Sequence, residues 1–347
     1  MMKLAPLFAS LIAAGTLIAP LAAHAGPLVE RPLVIAHRGA SAYLPESTMA
    51  SYRLAVSMGA DFIEPDLFMT ADGQLVARHD RNLRNTTSAT SNTNIDSLTL
   101  AQVLALQATS RGDEVGTAGY SKAGNGYYSS SDRFDIATFG DVLDYAYSLY
   151  KADGTIVGVY PEIKTISRND SYNLAMAAAM LAQLRDPKYQ GFFNGQHNNV
   201  FLQSFDATVV GYLNDGANNL NDLPVAYLVG DCQMAGANAA AIKTIADGVG
   251  TSIANMSQTC VDQLHAAGLL VHAYTLTTDA LMGTSGKSYA TILGYGVDGI
   301  FSNNPDLARA AVNAAYPVSE PATVALLGLG LLGVMGTGAA RRRRKAA

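Results

Sequence analysis

Short apolar runs alternate along the chain with longer stretches in which apolar residues recur at helical spacing. The short runs predict the strands Leu33–Ala36, Phe62–Leu67, Leu75–Arg78, Val157–Ile163, Val200–Ser204, Val225–Val229, Thr251–Ala254, Leu269–Thr275 and Gly299–Ser302. The longer stretches predict helices that include Ser47–Met58, Leu100–Leu106, Phe139–Tyr150, Ser171–Leu184, Ala207–Asn214, Ala235–Ile245, Thr259–Ala267 and Tyr289–Tyr295. Strands that alternate with helices favour a parallel α/β sheet. Because roughly eight such units in roughly 280 residues is the size of a (β/α)8 barrel, we predict a TIM barrel over residues 28–315.

Residues 107–135 interrupt this alternation. They contain five glycines, at positions 112, 116, 119, 124 and 126, and the serine run Ser129–Ser131. Long connections of this kind in compact domains are usually functional lids or variable loops. We therefore predict a loop inserted into the barrel.

The first 25 residues have the layout of a secretory signal peptide. Lys3 supplies a basic start, an apolar stretch runs from Leu7 to Leu21, and Ala23-His24-Ala25 forms a small-residue cleavage site. The alternative is a transmembrane anchor, but Pro20 interrupts the apolar stretch and the small-residue site follows it. We predict export of the chain and cleavage after Ala25.

The C-terminal segment, residues 318–347, has three parts. Ser319-Glu320-Pro321 is followed by the uncharged, Gly-rich stretch Ala322–Ala340 and then by the basic run Arg341–Lys345. The uncharged stretch is close to the minimum length for a membrane span, and a basic run after it stays in the cytoplasm. This layout resembles a PEP-CTERM sorting signal, with Ser-Glu-Pro in place of Pro-Glu-Pro. The resemblance implies removal of the segment by a membrane transpeptidase and delivery to the cell surface; a permanent anchor is the alternative.

The two ends also change the charge of the part between them. Lys3 and the five basic residues of the tail account for six of the 23 positive side chains, which leaves 17 against 28 acidic ones. Proteins that bind nucleic acids need a basic surface. The acidic central part is therefore a poor candidate for nucleic-acid binding, so we expect no nucleic-acid partner, and it must attract any anionic substrate locally.

The chain has two cysteines, Cys232 and Cys260. Each follows one of two consecutive predicted strands, and loops after neighbouring parallel strands leave the barrel at the same rim. Export places the chain in an oxidising compartment, so we predict a disulfide between them. The alternative is two buried thiols at the strand ends.

The stretch from Ile35 to Asp80 concentrates titratable side chains. His37 and His79 each follow a short apolar run, while Glu64 and Asp66 lie two positions apart on one predicted strand. Side chains two apart on a strand face the same way, and two facing carboxylates repel each other unless a cation, a proton or an arginine separates them. A hard divalent ion is the simplest solution.

Other polar residues lie at or near the predicted carboxyl ends of strands, the face on which barrel active sites are found. Besides His37, Glu64, Asp66 and His79, this set contains Glu162, Gln203 and Tyr274.

The same residues belong to longer motifs. His37-Arg38-Gly39-Ala40-Ser41 and Leu44-Pro45-Glu46-Ser47-Thr48 resemble the opening motif of the glycerophosphodiester phosphodiesterase family. The resemblance continues in order through the segments 59–66, Thr70-Ala71-Asp72-Gly73, His79-Asp80, Tyr160-Pro161-Glu162-Ile163-Lys164, Gln203-Ser204-Phe205-Asp206 and 296–306. It covers roughly residues 33–310 and is most similar to the exported, periplasmic branch, whose members use Ca²⁺.

The resemblance implies a role for each matching residue. Glu64, Asp66 and Glu162 are the expected ligands of one divalent cation, with Ca²⁺ favoured over Mg²⁺; carboxylates without Cys or His argue against zinc. His37 and His79 are the expected acid and base. Arg38, Lys164 and Tyr274 are expected to contact the substrate, Tyr274 in a position where the family commonly has Trp.

The implied activity is hydrolysis of glycerophosphodiesters to sn-glycerol 3-phosphate and an alcohol. A glycerol hydroxyl attacks first, and water then opens a cyclic phosphate, while the two histidines exchange acid and base roles. Which histidine begins, the alcohol that is released and the oligomeric state are left open. Two alternatives are a related barrel phospholipase that acts on lipid head groups, and a surface-displayed protein that kept the fold and lost activity.

Three further residues receive weaker predictions. Glu46 either orients Arg38 or caps the helix that begins near Ser47. His197 and His265 are expected on the surface.

Overall fold

The computed structural model describes residues 29–114, 116–278 and 287–317. Its strands are β1 Leu33–His37, β2 Phe62–Glu64, β3 Asp66–Met69, β4 Leu75–Ala77, β5 Gly158–Val159, β6 Glu162–Ile163, β7 Leu202–Ser204, β8 Val225–Val229, β9 Gly248–Ser252, β10 Leu270–Leu276 and β11 Gly299–Ser302. Its α-helices are α1 Met49–Ser57, α2 Leu100–Leu104, α3 Arg111–Glu114, α4 Phe139–Asp153, α5 Asp170–Leu184, α6 Ala207–Asn214, α7 Cys232–Ala237, α8 Ala239–Lys243, α9 Gln258–Ala266, α10 Tyr289–Gly294 and α11 Pro305–Ala315.

The parallel strands close into a ring. β1 pairs with β2 on one side and with β11 on the other, and β6 to β11 pair in sequence order. Pro65 separates β2 from β3, and Pro161 separates β5 from β6, because proline has no N–H for the sheet ladder. β2 pairs with β5, and β3 pairs with β6. β2 and β3 therefore act together as one barrel strand, and β5 and β6 act together as its neighbour. The predicted (β/α)8 barrel is confirmed.

The prediction that Leu75–Arg78 is one of the parallel strands is wrong. β4 runs antiparallel to β3, with Leu67 opposite Ala77 and Met69 opposite Leu75. Only five residues connect the two strands, and a parallel crossover needs a dozen or more. The hairpin carries the chain back to the barrel, where the Arg78 N–H donates to the Asp66 carbonyl over 2.8 Å.

Apolar side chains fill the barrel interior and the layer between strands and helices. The interior holds Ile35, Phe62, Tyr160, Ala226 and Phe301, all buried. Most of the helices begin at a side-chain cap; Thr48, for example, accepts from the Ser51 N–H at the start of α1. This packing leaves the strand ends as the place where polar side chains can gather.

The insertion lies against the barrel mouth. The Ser121 N–H donates to the Ser41 carbonyl over 2.9 Å, and Asn125 Nδ2 donates to the Tyr43 carbonyl over 2.8 Å. A small second core that includes Phe68, Val76 and Val103 supports it from below. The predicted inserted loop therefore borders the face on which the strands end.

The predicted signal peptide and the C-terminal sorting segment fall outside the described residues. Within the described ranges, no helix combines the length and the apolar character that a membrane span requires.

The predicted disulfide is confirmed. Cys232 is the first residue of α7 and Cys260 lies in the first turn of α9; their Cα atoms are 5.8 Å apart and the sulfurs are bonded. Both side chains are fully buried between α7 and α9.

We expect the double variant Cys232→Ala/Cys260→Ala to lose about 3 kcal/mol of unfolding free energy, because the bridge limits the unfolded chain over a separation of 28 residues. Urea unfolding followed by circular dichroism measures the loss. Titration of two free thiols in the denatured, unreduced wild-type protein would contradict the bridge.

Candidate active site

Three buried carboxylates meet beside Pro65 and Pro161, where two neighbouring barrel strands are interrupted. Glu64 ends β2, Asp66 begins β3 and Glu162 begins β6, and Asp66 and Glu162 are direct partners in the sheet. One oxygen of each lies within 4.8 Å of the others. The sequence thus correctly placed the three residues together, and this acidic triad could hold a metal ion.

Electrostatics in the triad favour a cation. Burial, together with the charges of neighbouring carboxylates, raises the pKa of Glu64 well above its usual range and that of Glu162 to about 8. Burial alone would also raise the pKa of Asp66, but Arg38 and Lys164 lower it. Both oxygens of Asp66 are buried, and although cationic side chains lie near them, neither oxygen accepts a well-aligned hydrogen bond. The donor set therefore fits a hard divalent ion, which would take the place of the protons.

The charges of the site can be counted. When ionised, Glu64, Asp66 and Glu162 carry three negative charges. Two cations offset them: Arg38 Nε lies 2.9 Å from Asp66 Oδ2, and Lys164 Nζ lies 2.8 Å from Glu162 Oε1. One negative charge remains, so a divalent ion would leave one positive charge, which matches a singly charged phosphodiester.

Each predicted catalytic histidine is held through its Nδ1 atom. His37 Nδ1 lies 2.7 Å from Asn303 Oδ1, and Asn303 Nδ2 donates to the Gly119 carbonyl over 2.8 Å. His79 Nδ1 lies 2.7 Å from Asp80 Oδ1. Because a hydrogen-bond acceptor lies beside each Nδ1 atom, a neutral imidazole carries its proton on Nδ1. Its Nε2 atom is then able to accept a proton.

In the site without substrate, burial also keeps both imidazoles neutral. Desolvation and then the Arg38 guanidinium lower the pKa of His37 to about 3, and the same two causes lower the pKa of His79. A neutral imidazole at neutral pH can accept a proton, as a general base must.

Arg38 adopts a backbone conformation with φ 57°. This left-handed conformation is uncommon for a side-chain-bearing residue and is frequent at functional sites. It directs the Arg38 N–H at Glu64 Oε2, 2.8 Å away, while the guanidinium reaches both Asp66 and Glu46. The predicted role of Glu46 in orienting Arg38 therefore has structural support.

Tyr274 contributes its ring and not its hydroxyl to the site. The hydroxyl donates to the Val229 carbonyl over 2.7 Å, which occupies its proton. The ring meets Phe205 edge to face at 5.9 Å. Any substrate contact at Tyr274 is therefore with an aromatic surface.

Seven of the eight predicted site residues line one cavity of about 330 Å³. The exception is Asp66, which forms an ion pair with Arg38, a residue of the lining. Among the described residues, its lining is His37, Arg38, Glu64, His79, Ala118, Tyr120, Glu162, Lys164, Gln203, Phe205, Leu228, Tyr274, Thr275, Thr277, Phe301 and Asn303. The lining divides into charged side chains and apolar or aromatic side chains. This division suits a ligand with an anionic group and a less polar remainder.

Sequence reasoning missed three contributors to the site. Asn303 holds His37, Tyr120 lines the cavity, and Arg111 forms ion pairs with Glu46 and Asp80. Asn303 had a signal, because it directly follows the last strand inside a recognised motif. Arg111 and Tyr120 had none, since they belong to an insertion without periodicity.

The expectation of surface positions for His197 and His265 is wrong in one case. His265 is buried, and its Nε2 lies 2.9 Å from Asp298 Oδ2. His197 is half-buried and packs on Tyr150 and Phe192 at 5.2 and 5.3 Å.

Comparison with known proteins identifies the family. Residues 37–307 match the glycerophosphoryl diester phosphodiesterase family, and residues 317–344 match the PEP-CTERM protein-sorting motif. A glycerophosphodiester phosphodiesterase of Bacillus subtilis is 34% identical over 281 residues, which is 80% of this chain and 85% of the relative.

Solved structures share the fold. The phosphodiesterase of Oleispira antarctica, solved in complex with the product sn-glycerol-3-phosphate, superposes with a TM-score of 0.61 at 22% identity and covers 82% of this chain and 97% of its own. A glycerophosphodiester phosphodiesterase of Agrobacterium tumefaciens gives 0.57 at 21% identity and covers 80% and 99%. The family match runs from the last residue of β1 to the start of α11 and contains every predicted site residue. The chain therefore belongs to the glycerophosphoryl diester phosphodiesterase family and is an enzyme of that class.

Proposed function

We propose that the enzyme hydrolyses glycerophosphodiesters to sn-glycerol 3-phosphate and an alcohol, with one divalent cation at Glu64, Asp66 and Glu162. The observation that carries the proposal is that Glu64 and Glu162 of this triad line the same cavity as two imidazoles and an arginine. We favour Ca²⁺ over Mg²⁺ because several protein carboxylates at one site suit the adaptable coordination geometry of Ca²⁺, whereas Mg²⁺ usually keeps more water. When bound, the ion neutralises charge on the phosphate oxygens.

Arg38 and Lys164 hold the phosphate. A guanidinium matches two phosphate oxygens at once, and the Lys164 ammonium adds a point charge at the same place. Asp66 and Glu162 fix these two cations within 2.9 Å and so limit their rotation. The phosphate is thereby oriented before any bond changes.

His37 and His79 move the protons. One neutral imidazole accepts the proton of the attacking glycerol hydroxyl at its Nε2 atom. The other takes up a proton from solvent at Nε2, which the negative charge of the bound phosphate favours, and donates it to the departing alkoxide. The roles are exchanged when water opens the cyclic phosphate. Asn303 and Asp80 hold the rings so that each presents Nε2 to the cavity.

The apolar wall receives the alcohol. Phe205, Leu228 and Tyr274 supply this surface, and Tyr274 cannot donate a hydrogen bond there because Val229 accepts its proton. The regiochemistry tests the proposal: ³¹P NMR of a turnover with a panel of glycerophosphodiesters should show sn-glycerol 3-phosphate in each productive case. A phosphorylated head group as the product would favour the lipid head-group phospholipase alternative.

The enzyme acts outside the cytoplasm. The sorting motif over residues 317–344 supports export and delivery to the surface, with the C-terminal segment handled by a membrane transpeptidase. The substrate is a small molecule that binds in the barrel, whereas the transpeptidase acts on the C-terminal segment.

Calcium binding should release protons and tighten as the pH rises. The pKa of Glu162 without a cation is about 8, above its usual value, so below pH 8 an ion must displace a proton from this carboxyl. We expect the apparent Kd to fall by up to about tenfold per pH unit for each displaced proton between pH 6 and 8, and to level off above that range.

Isothermal titration calorimetry in buffers of different ionisation enthalpy measures the protons released per ion. Glu162→Gln should release fewer protons and bind more weakly. A Kd that does not change between pH 6 and 8 would contradict the raised pKa and the assignment of Glu162 as a ligand.

A further inference from the structure

Arg111 of the insertion bridges two acidic side chains beside the cavity. Its Nε and Nη2 atoms donate to the two oxygens of Glu46 over 2.9 and 2.8 Å. Nη2 also donates to Asp80 Oδ2 over 2.7 Å. Only about 13% of the Arg111 side chain is exposed, so these contacts are sheltered from solvent. Sheltered, forked contacts of this kind fix the geometry of a carboxylate more firmly than a surface ion pair does.

Asp80 connects Arg111 to a catalytic imidazole. One carboxylate oxygen, Oδ2, accepts from Arg111, and the other, Oδ1, lies 2.7 Å from His79 Nδ1. The carboxylate is thus held at both oxygens and cannot turn without breaking one contact. Burial would raise the pKa of Asp80, but His79 and Arg111 lower it, so the group remains an anionic acceptor.

We propose that Arg111 is a positioning residue that fixes the orientation and tautomer of His79 through Asp80, so that the insertion completes the active site. The inference rests on the proposed role of His79 in proton transfer. A histidine whose Nδ1–H is held by a carboxylate presents Nε2 in one direction only, and a wrong tautomer cannot take part in the transfer.

A second contact shows that the insertion reaches the other histidine as well. The Gly119 carbonyl accepts from Asn303 Nδ2, and Asn303 Oδ1 faces His37 Nδ1. Both imidazoles are therefore connected to the insertion through one intermediate side chain. The insertion acts as a part of the catalytic site and not as a separate cover.

A competing route runs through Glu46. Arg111 shares Glu46 with Arg38, whose Nη1 atom lies 3.4 Å from both Glu46 oxygens. If Arg111 acted by this route, its loss would disturb the phosphate contact and raise KM. The route through Asp80 instead predicts a loss of kcat, because the proton transfer is impaired after the substrate has bound.

The test is a double-mutant cycle of Arg111→Ala with Asp80→Asn, measured as kcat and KM on a glycerophosphodiester at saturating Ca²⁺. We expect each single variant to lower kcat by about 10- to 100-fold, the usual cost of losing a partner that orients a functional histidine. KM should change by less than about threefold, and the double variant should be no more than about twofold slower than the slower single variant.

Arg111→Lys extends the test. Lysine keeps the positive charge but cannot bridge Glu46 and Asp80 with a rigid fork, so its kcat should lie between those of Arg111→Ala and the wild type. If the alanine variant does not fold, as judged by its melting temperature, the same cycle is run with Arg111→Lys. Arg133→Ala is the matched control, since Arg133 is an exposed arginine of the same insertion.

The outcomes separate two failures. Effects of Arg111 and Asp80 that multiply, or a rise in KM without a fall in kcat, would overturn the inference and favour the route through Glu46. Wild-type kcat for Arg111→Ala beside a strongly impaired His79→Ala would overturn this inference alone. Wild-type kcat for His79→Ala would instead overturn the proposed role of His79 in proton transfer, on which this inference rests.

Discussion

Neutralising one ligand of the acidic triad is expected to abolish calcium-dependent turnover. Glu64→Gln or Glu162→Gln should lower kcat/KM by at least about 10³-fold at a Ca²⁺ concentration that saturates the wild type, because the ion and its charge on the phosphate are lost together. The substituted amide keeps the volume of the side chain, so the barrel should remain intact.

Compared with the wild type, the melting temperatures of the same variants should change in different ways with and without the ion. Removing one charge from the triad relieves repulsion between buried carboxylates, so without Ca²⁺ their melting temperature should equal or exceed that of the wild type. Calcium at 100 times its Kd should stabilise the wild type by about 2.7 kcal/mol and the variants by almost nothing. Differential scanning calorimetry measures both effects.

Glu114→Gln is the matched control, because Glu114 is exposed and lies in the insertion. It should keep wild-type activity and the wild-type response to Ca²⁺. Full activity of Glu64→Gln or Glu162→Gln in the presence of a chelator would show that the triad does not hold a catalytic ion.

Removal of either imidazole is the second large expected effect. His37→Ala and His79→Ala should each lower kcat by at least about 10²-fold, which is the usual contribution of one positioned acid or base. Calcium affinity should stay within about threefold of the wild type, because carboxylates and not imidazoles hold the ion. Stopped-flow turnover and calorimetric titration of the same samples separate the two properties.

His197→Ala is the control, since its imidazole packs on Tyr150 and Phe192 and does not line the cavity. If only one of the two catalytic variants is impaired, one histidine performs both proton transfers and the paired mechanism is wrong. A large loss of calcium affinity in either variant would instead make that histidine a ligand.

Much of the site followed from the sequence because strand geometry constrains it. Two carboxylates two positions apart, and a third at the end of a later strand, must meet if parallel strands end at one rim. Glu64, Asp66 and Glu162 obey this rule although Pro65 and Pro161 interrupt the ladders. The disulfide followed in the same way from consecutive strands.

The features that the sequence did not predict correctly are chain reversals and contacts between residues distant in sequence. His79 reaches the site because β4 returns antiparallel to β3, a reversal that the five-residue connection could have revealed. His265 was expected on the surface, yet the buried positions 260, 261, 264 and 265 of α9 form one helical stripe. Arg111 pairs with Glu46, which is 65 positions away, and with Asp80, which is 31 positions away. No local sequence pattern marks such contacts.

The most direct test of the central claim is turnover of a glycerophosphodiester before EDTA treatment, after it, and after Ca²⁺ is restored. Our account predicts a loss of at least about 10²-fold in EDTA, recovery with Ca²⁺, and sn-glycerol 3-phosphate as the phosphorus-containing product in the active samples. Turnover that is unaffected by EDTA, or a product other than sn-glycerol 3-phosphate, would contradict it.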